Sequence, residues 1–308
     1  MKKFLSTALA ALLLIGLCAF ASADTAQTSS FRIAAPGGAP ALALATLAKE
    51  HPEQYTFVAA ETITAEFSSG ASDFIIAPLN AGAKLFKAGK SAYRLAAVVS
   101  WGNLFFASQR EGFTLEDING AEITLFGENT INSSIALYAL EQNGIRPATV
   151  SYLGSAANTQ QLLLSDENAI VLTAEPALTA ACMKNDRVFG FSVNDLYEKA
   201  TGYPGFTQAG LFVRGDVADS APGAVDAYLA EVAASCAKCT GDVSAVAEAA
   251  VALEILPNAK VAARAIPNCA IRYLAAPEAR EQVEITAGID LTQFGGALPA
   301  DEFYYGAK

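Results

Sequence analysis

The sequence predicts an α/β fold of two doubly wound lobes joined by hinge strands. Three observations carry that expectation. From residue 31 onward, short apolar runs alternate with helical patterns, the order of a sheet wrapped by helices on both faces. The same order restarts near residue 121. Two long β-runs, 93–108 and 208–213, sit where the chain would leave one lobe and return to it. At 308 residues the chain is also too long for one small core.

Residues 1–23 stand apart from this pattern. Lys2 and Lys3 open a charged start, Phe4 to Phe20 is apolar, and Ala21-Ser22-Ala23 fits a small-residue cleavage site. This reads as a secretory signal peptide, too short to span a membrane as a retained anchor. Cys18 offers lipidation as an alternative, against which Leu17 is a bulky neighbour. Without Lys2 and Lys3 the net charge moves from −11 to −13. That acidity argues against a nucleic-acid partner, which needs basic patches on phosphate.

In chain order, Phe31 to Ala35 is the first strand. It ends in Pro36-Gly37-Gly38-Ala39-Pro40, and a helix is expected over 41–50, stopped by His51-Pro52. Glycines let backbone approach a bound molecule, and Pro suits a helix start. The N–H groups of that first turn have no partner inside the helix. Gly37, Gly38 and Ala39 are therefore the first candidate contacts, the alternative being an ordinary turn. Strands at 55–60 and 73–77 follow, with a short helix at 62–68 between them. The apolar Phe74-Ile75-Ile76-Ala77 fits a buried parallel sheet. Asn80 then opens a helix, either capping it or turning its amide to a ligand.

Tyr93 to Ser108 is a long strand interrupted by Trp101-Gly102-Asn103, as expected of a crossing. Trp101, the only Trp, either stacks on a planar or cationic ligand or belongs to the core. Asn103 beside it is a further candidate. The second lobe repeats the opening unit. A strand at 121–126 leads to the loop Gly127 to Asn132, and a helix runs from Ser133 to Asn143-Gly144. Asn129, Thr130 and Asn132 hold the place of Gly37-Gly38 and are candidate contacts, with capping by Asn132 or Ser133 as the alternative. Strands at 150–153 and 169–173 flank a helix at 159–164. Glu175-Pro176 closes the unit as Pro78 does in the first lobe. A carboxylate there is costly to bury alone, so Glu175 either binds a ligand donor or pins the next helix. Gln208 opens the return crossing at 208–213, and Ala-rich helices are expected at 223–239, 243–256 and 277–287. The domain plan is a discontinuous lobe of 24–102 and 208–308 with 103–207 inserted. Open α/β sheets gather ligands at the carboxyl ends of their strands, where these candidates lie.

No Arg occurs in the candidate loops. This disfavours carboxylate recognition by a two-pronged Arg fork, although a monoanion can sit on helix N-termini alone. Asn, Gln, Thr and one Trp suggest a neutral or weakly charged polar ligand of heterocyclic or monoanionic kind. His51, the only His, reads as surface. There is no nucleophile–base pair and no metal-spaced cluster, so no enzyme, metal or cofactor is expected. Cys182, Cys236, Cys239 and Cys269 remain after the leader and permit disulfides in an exported chain. Cys236-Ala-Lys-Cys239 lies in a helical pattern with no preceding thioredoxin-like strand, so it reads as core.

On these pieces the chain resembles the extracytoplasmic solute-binding proteins of ABC importers. The likeness is nearest the type II branch of nitrate-, sulfonate- and taurine-type binding proteins. It rests on residues 35–42, Asp73 to Asn80, Trp101 to Leu104, Glu175-Pro176, Gln208 to Leu211 and Ile266-Pro267-Asn268-Cys269, and covers nearly all of the mature chain. The order and spacing of these segments carry it, no one motif being specific. The resemblance implies two lobes closing on a small-molecule ligand, an ABC permease and ATPase as partners, an extracytoplasmic location, and a monomer. A sensor lobe for a membrane receptor is the alternative on the same fold, with an exported enzyme on that fold as the less favoured one.

Overall fold

The computed structural model describes residues 30–307. The leader and Cys18 lie outside them. Two sheets organise the chain. The first has the order β2-β1-β3-β10-β4-β11, with β1 at Ile33–Pro36, β2 at Tyr55–Val58, β3 at Phe74–Pro78, β4 at Tyr93–Ser100, β10 at Ala209–Arg214 and β11 at Ile271–Ala275. The second has the order β7-β6-β8-β5-β9, with β5 at Leu104–Ser108, β6 at Glu122–Phe126, β7 at Thr149–Leu153, β8 at Ile170–Ala174 and β9 at Phe189–Ser192.

The two sheets are built alike. In each, the first strand of the lobe is flanked by parallel neighbours, β2 and β3 around β1 and β7 and β8 around β6. An antiparallel strand then joins the third: β10 on β3, with Ala209 opposite Pro78, and β5 on β8, with Leu104 opposite Ala174. Both sheets are therefore mixed, because each takes in a strand that has just crossed from the other lobe. The inner strands are apolar on both faces, as residues 74–77 and 95–99 illustrate, since helices cover each side.

The expected helix at 41–50 is two pieces. Ala39–Leu44 is a 3-10 helix with Pro40 in its first turn, and Ala45–Glu50 is α-helical. The helix after residue 223 is longer than expected, Pro222–Gly241, whereas the next ends early, at Ala252.

The chain passes between sheets at Trp101–Asn103 and at Phe206–Gln208. The two passages are tied together, with Gln208 N–H donating to the Ser100 carbonyl at 3.0 Å. Asn194 Nδ2 donates to the carbonyls of Trp101 and Gly102, both at 2.9 Å. One apolar core continues through the passage, from Ile75 and Phe212 past Trp101 and Phe206 to Leu125 and Ile135. A second core covers the other face of the first sheet. There Cys236 and Cys239, on the Pro222–Gly241 helix, face the Ala43 and Leu42 carbonyls. All four cysteines in the described residues are free thiols. Burial pushes the Cys239 thiol up to about 12 and the Cys236 thiol higher still, which leaves both protonated and inert.

Candidate functional site

A cavity of about 380 Å³ opens where the carboxyl ends of both sheets meet the crossings. Each lobe sends a helix start to it. From the first lobe comes Leu79–Lys87, which follows β3 and shows Asn80 and Ala81 to the cavity. From the second comes Ile131–Gln142, which follows β6 and shows Thr130, Ile131 and Asn132. The first N–H groups of such helices have no intrahelical acceptor and carry the positive end of the helix dipole. Two helix starts from different lobes thus converge on one space.

The crossings supply the floor, with Asn103 on the outward passage and Gln208 on the return. Their amides meet, Gln208 Nε2 donating to Asn103 Oδ1 at 3.0 Å, and Gln208 Nε2 also lies 3.4 Å from Asn132 Oδ1. Pro36, Gly37, Pro40, Ala60 and Ile63 form an apolar wall from the first lobe. No lining residue carries a charge. Uncharged donors, two helix dipoles and an apolar wall can hold a small polar or singly negative molecule with an apolar part.

No protein-family model matches the chain, and no curated protein matches it. Solved structures do. An ABC transporter structure from Parabacteroides distasonis superposes with a TM-score of 0.78 at 20% identity, over 90% of this chain and 99% of that one. The periplasmic aliphatic sulphonate binding protein SsuA of Escherichia coli does so with a TM-score of 0.65 at 18% identity, over 85% and 86%. The alkanesulfonate-binding protein SsuA of Xanthomonas axonopodis pv. citri, bound to MOPS, gives 0.63 at 16%, over 88% and 96%. The fold is that of ABC-importer binding proteins.

Within this binding-protein fold, six of the residues singled out from the sequence line the cavity together: Gly37, Asn80, Asn103, Thr130, Asn132 and Gln208. Five do not. Gly38 and Ala39 lie between lining residues, but Gly38 forms the turn and Ala39 is buried in the core behind it. Asn129 is exposed at φ 56°, and only its carbonyl points this way, accepting from Gln293 Nε2 at 2.9 Å.

Trp101 takes the core position that was its alternative to ligand stacking. The residue is 2% exposed, its Nε1 donates to the Arg272 carbonyl at 2.7 Å, and the Arg272 guanidinium covers its ring, 4.1 Å from the centroid. The stacking surface is thus occupied by the protein's own cation. Glu175 faces away from the cavity and caps the Ala177–Lys184 helix. It accepts from Thr179 N–H at 3.1 Å and Thr179 Oγ1 at 2.8 Å, and from Asn268 Nδ2 of the first lobe at 3.2 Å. Burial raises its carboxyl above the ordinary range despite those three donors.

Gln293, in the 3-10 turn Leu291–Phe294, lines the cavity and was not anticipated. No local pattern marks it. Its position comes from the C-terminal segment folding back onto the Leu79–Lys87 helix. Among the described residues no group of three His, Cys, Asp or Glu side chains gathers into a metal site, and no helix is long and apolar enough to cross a membrane.

Proposed function

We propose that this chain is an exported solute-binding protein. It captures a small, uncharged or singly negative molecule with an apolar part between its lobes and delivers it to an ABC permease and ATPase. One observation carries this reading: two helix starts, one from each lobe, and the crossing amides surround a cavity without a charged side chain. Such a lining stabilises one negative charge through N–H groups and dipoles, and a dianion would lack a counter-charge. The names of the SsuA neighbours, which bind sulfonates, point the same way. Of the Asn, Gln, Thr and Trp residues that suggested a heterocycle, the Trp is withdrawn from the cavity, since Arg272 covers Trp101.

In this reading residues 24–102 and 208–308 act as one lobe and 103–207 as the other. The leader 1–23 directs export, and the chain works as a monomer. The lining residues carry no titratable side chain, which supports capture without turnover. The test is thermal melting and calorimetry of the purified chain with butanesulfonate, uracil and succinate. A solute present at a hundred times its Kd stabilises by about 2.7 kcal/mol. Butanesulfonate binding at one site per chain, with no such response to succinate, is the expected result. A preference for succinate, or no response to any small solute in a wider screen, overturns it.

A further inference from the structure

The crossing amides carry an orientation that can be traced from one end. The Glu175 carbonyl accepts from Asn103 Nδ2 at 2.9 Å. A carbonyl has no proton to give, so Asn103 must turn its NH2 group there and leave Oδ1 facing Gln208. Gln208 must answer with a donor, and its Nε2 lies 3.0 Å from that oxygen. The Gln208 Oε1 is then left for the fully buried Ser100, whose hydroxyl donates to it at 3.1 Å. Reversing any one amide sets two acceptors or two donors against each other in a partly buried place, at the cost of an unsatisfied polar group.

The relay also joins matched positions of the two lobes. Asn103 and Gln208 each precede the antiparallel strand of their sheet. Each carbonyl accepts the N–H of the residue just past the end of the neighbouring strand: Glu175 N–H, after β8, on Asn103 at 2.9 Å and Leu79 N–H, after β3, on Gln208 at 3.0 Å. Two pseudo-equivalent amides therefore meet face to face, and the Glu175 carbonyl decides which of them donates, while the Ser100 hydroxyl, able to donate or accept, follows. The consequence reaches the cavity. Gln208 Nε2 also lies 3.4 Å from Asn132 Oδ1, which leaves the Asn132 NH2 group with no protein acceptor among the described residues. Asn103 keeps a second amide proton beyond the one given to Glu175. With the N–H groups of the two helix starts, this end of the cavity is lined by donors.

We infer that the main-chain carbonyl of Glu175, through Asn103 and Gln208, holds the crossing end of the cavity as a donor surface, so that the solute presents oxygen acceptors there and no donor group. This rests on the cavity being the solute site. The experiment compares butanesulfonate with butylammonium, matched in chain and opposite in head group, by calorimetry on the wild-type chain, Ser100→Ala and Gln208→Glu. Side-chain amide exchange of Gln208 and Asn103 is followed by NMR without ligand.

The wild type should prefer butanesulfonate by about a hundredfold or more. Ser100→Ala should leave that ratio within about twofold and the Gln208 amide protected, because Asn103 Oδ1 still requires a donor from Gln208. Gln208→Glu, which sets an acceptor against Asn103 Oδ1, should abolish the preference. Butylammonium binding as well as butanesulfonate, or a ratio unchanged in Gln208→Glu or lost in Ser100→Ala, overturns the inference while leaving a solute site in place. If no solute of either kind binds, the solute-site reading falls, and a wild-type Gln208 amide that exchanges freely overturns the relay by itself.

Discussion

The two strand-to-helix turns that open the lobes begin identically and then diverge. Gly37 follows β1 and donates to the Val58 carbonyl at 3.0 Å. Gly127 follows β6 and donates to the Leu153 carbonyl, also at 3.0 Å. Beyond that shared first bond, the first lobe makes its turn with backbone alone. Gly38 sits at φ 100°, ψ −158°, Pro40 enters the first helical turn, and no side chain caps the helix. The second lobe makes its turn with side chains. Thr130 and Ser133 form a reciprocal capping box, and Asn129 takes the left-handed conformation at φ 56°. One topological slot thus serves two ends. In the first lobe it drives Ala39 to Leu44 into the core and leaves prolines at the cavity. In the second it holds polar groups there. The cavity's apolar and polar walls follow from that divergence.

The largest expected effect breaks the match between the two glycines. A Cβ at Gly127 would lie 2.9 Å from Thr130 Oγ1 and would have to tolerate φ 72°. Gly127→Ala should therefore destabilise by about 3 kcal/mol, from left-handed strain plus loss of cap geometry. A Cβ at Gly37 meets only the Val58 carbonyl, at 3.9 Å. Gly37→Ala should change stability by no more than about 0.5 kcal/mol. Urea titration of both variants checks the contrast, and equal losses would show that the two turns do not differ as described.

Much of this arrangement was legible in the sequence, because the parallel trio of each lobe consists of apolar runs punctuated by Gly and Pro, and that pattern is local. What escaped it depends on long-range geometry. The mixed sheets arise because β5 and β10 enter from the opposite lobe, and a strand's direction leaves no mark on its composition. The edge strands β9 and β11 are short and mostly half-exposed, so neither shows a clean alternation. At the crossing, Trp101 and Asn103 are two residues apart and would share a face on a regular strand. Gly102 at φ 86° breaks that alternation, so residue type alone did not tell which one would reach the cavity. Glu175 was legible as a buried carboxylate in need of donors, but its Asn268 donor lies 93 residues away.

Next in size is the backbone-only turn. Gly38 occupies a region open essentially to glycine alone, and nothing lies within 4 Å of a Cβ placed there. Gly38→Ala should cost about 2 kcal/mol by strain without a clash. Thr130→Ala removes one capping oxygen and should cost about 1 kcal/mol. Thermal melting of the pair orders them. A Thr130 loss larger than the Gly38 loss would mean that the second lobe's turn leans on its cap more than the first leans on its glycine.

The smallest effect concerns the matched positions after β3 and β8, where the first lobe places the buried Leu79 and the second the buried Glu175. Because burial raises the Glu175 carboxyl, the folded chain keeps that proton at a pH where the unfolded chain has lost it. Stability should therefore fall as pH rises from the ordinary carboxylate range through the raised folded value, and level off above it. Glu175→Gln sacrifices one accepted hydrogen bond, a loss independent of pH, and removes the titration. Measured by urea unfolding from about pH 4 to about pH 8, the variant should gain on the wild type as pH climbs. Parallel pH profiles would show that the Thr179 and Asn268 donors fully offset the burial of the charge, and that Glu175 is as neutral in its effect on stability as the leucine it matches.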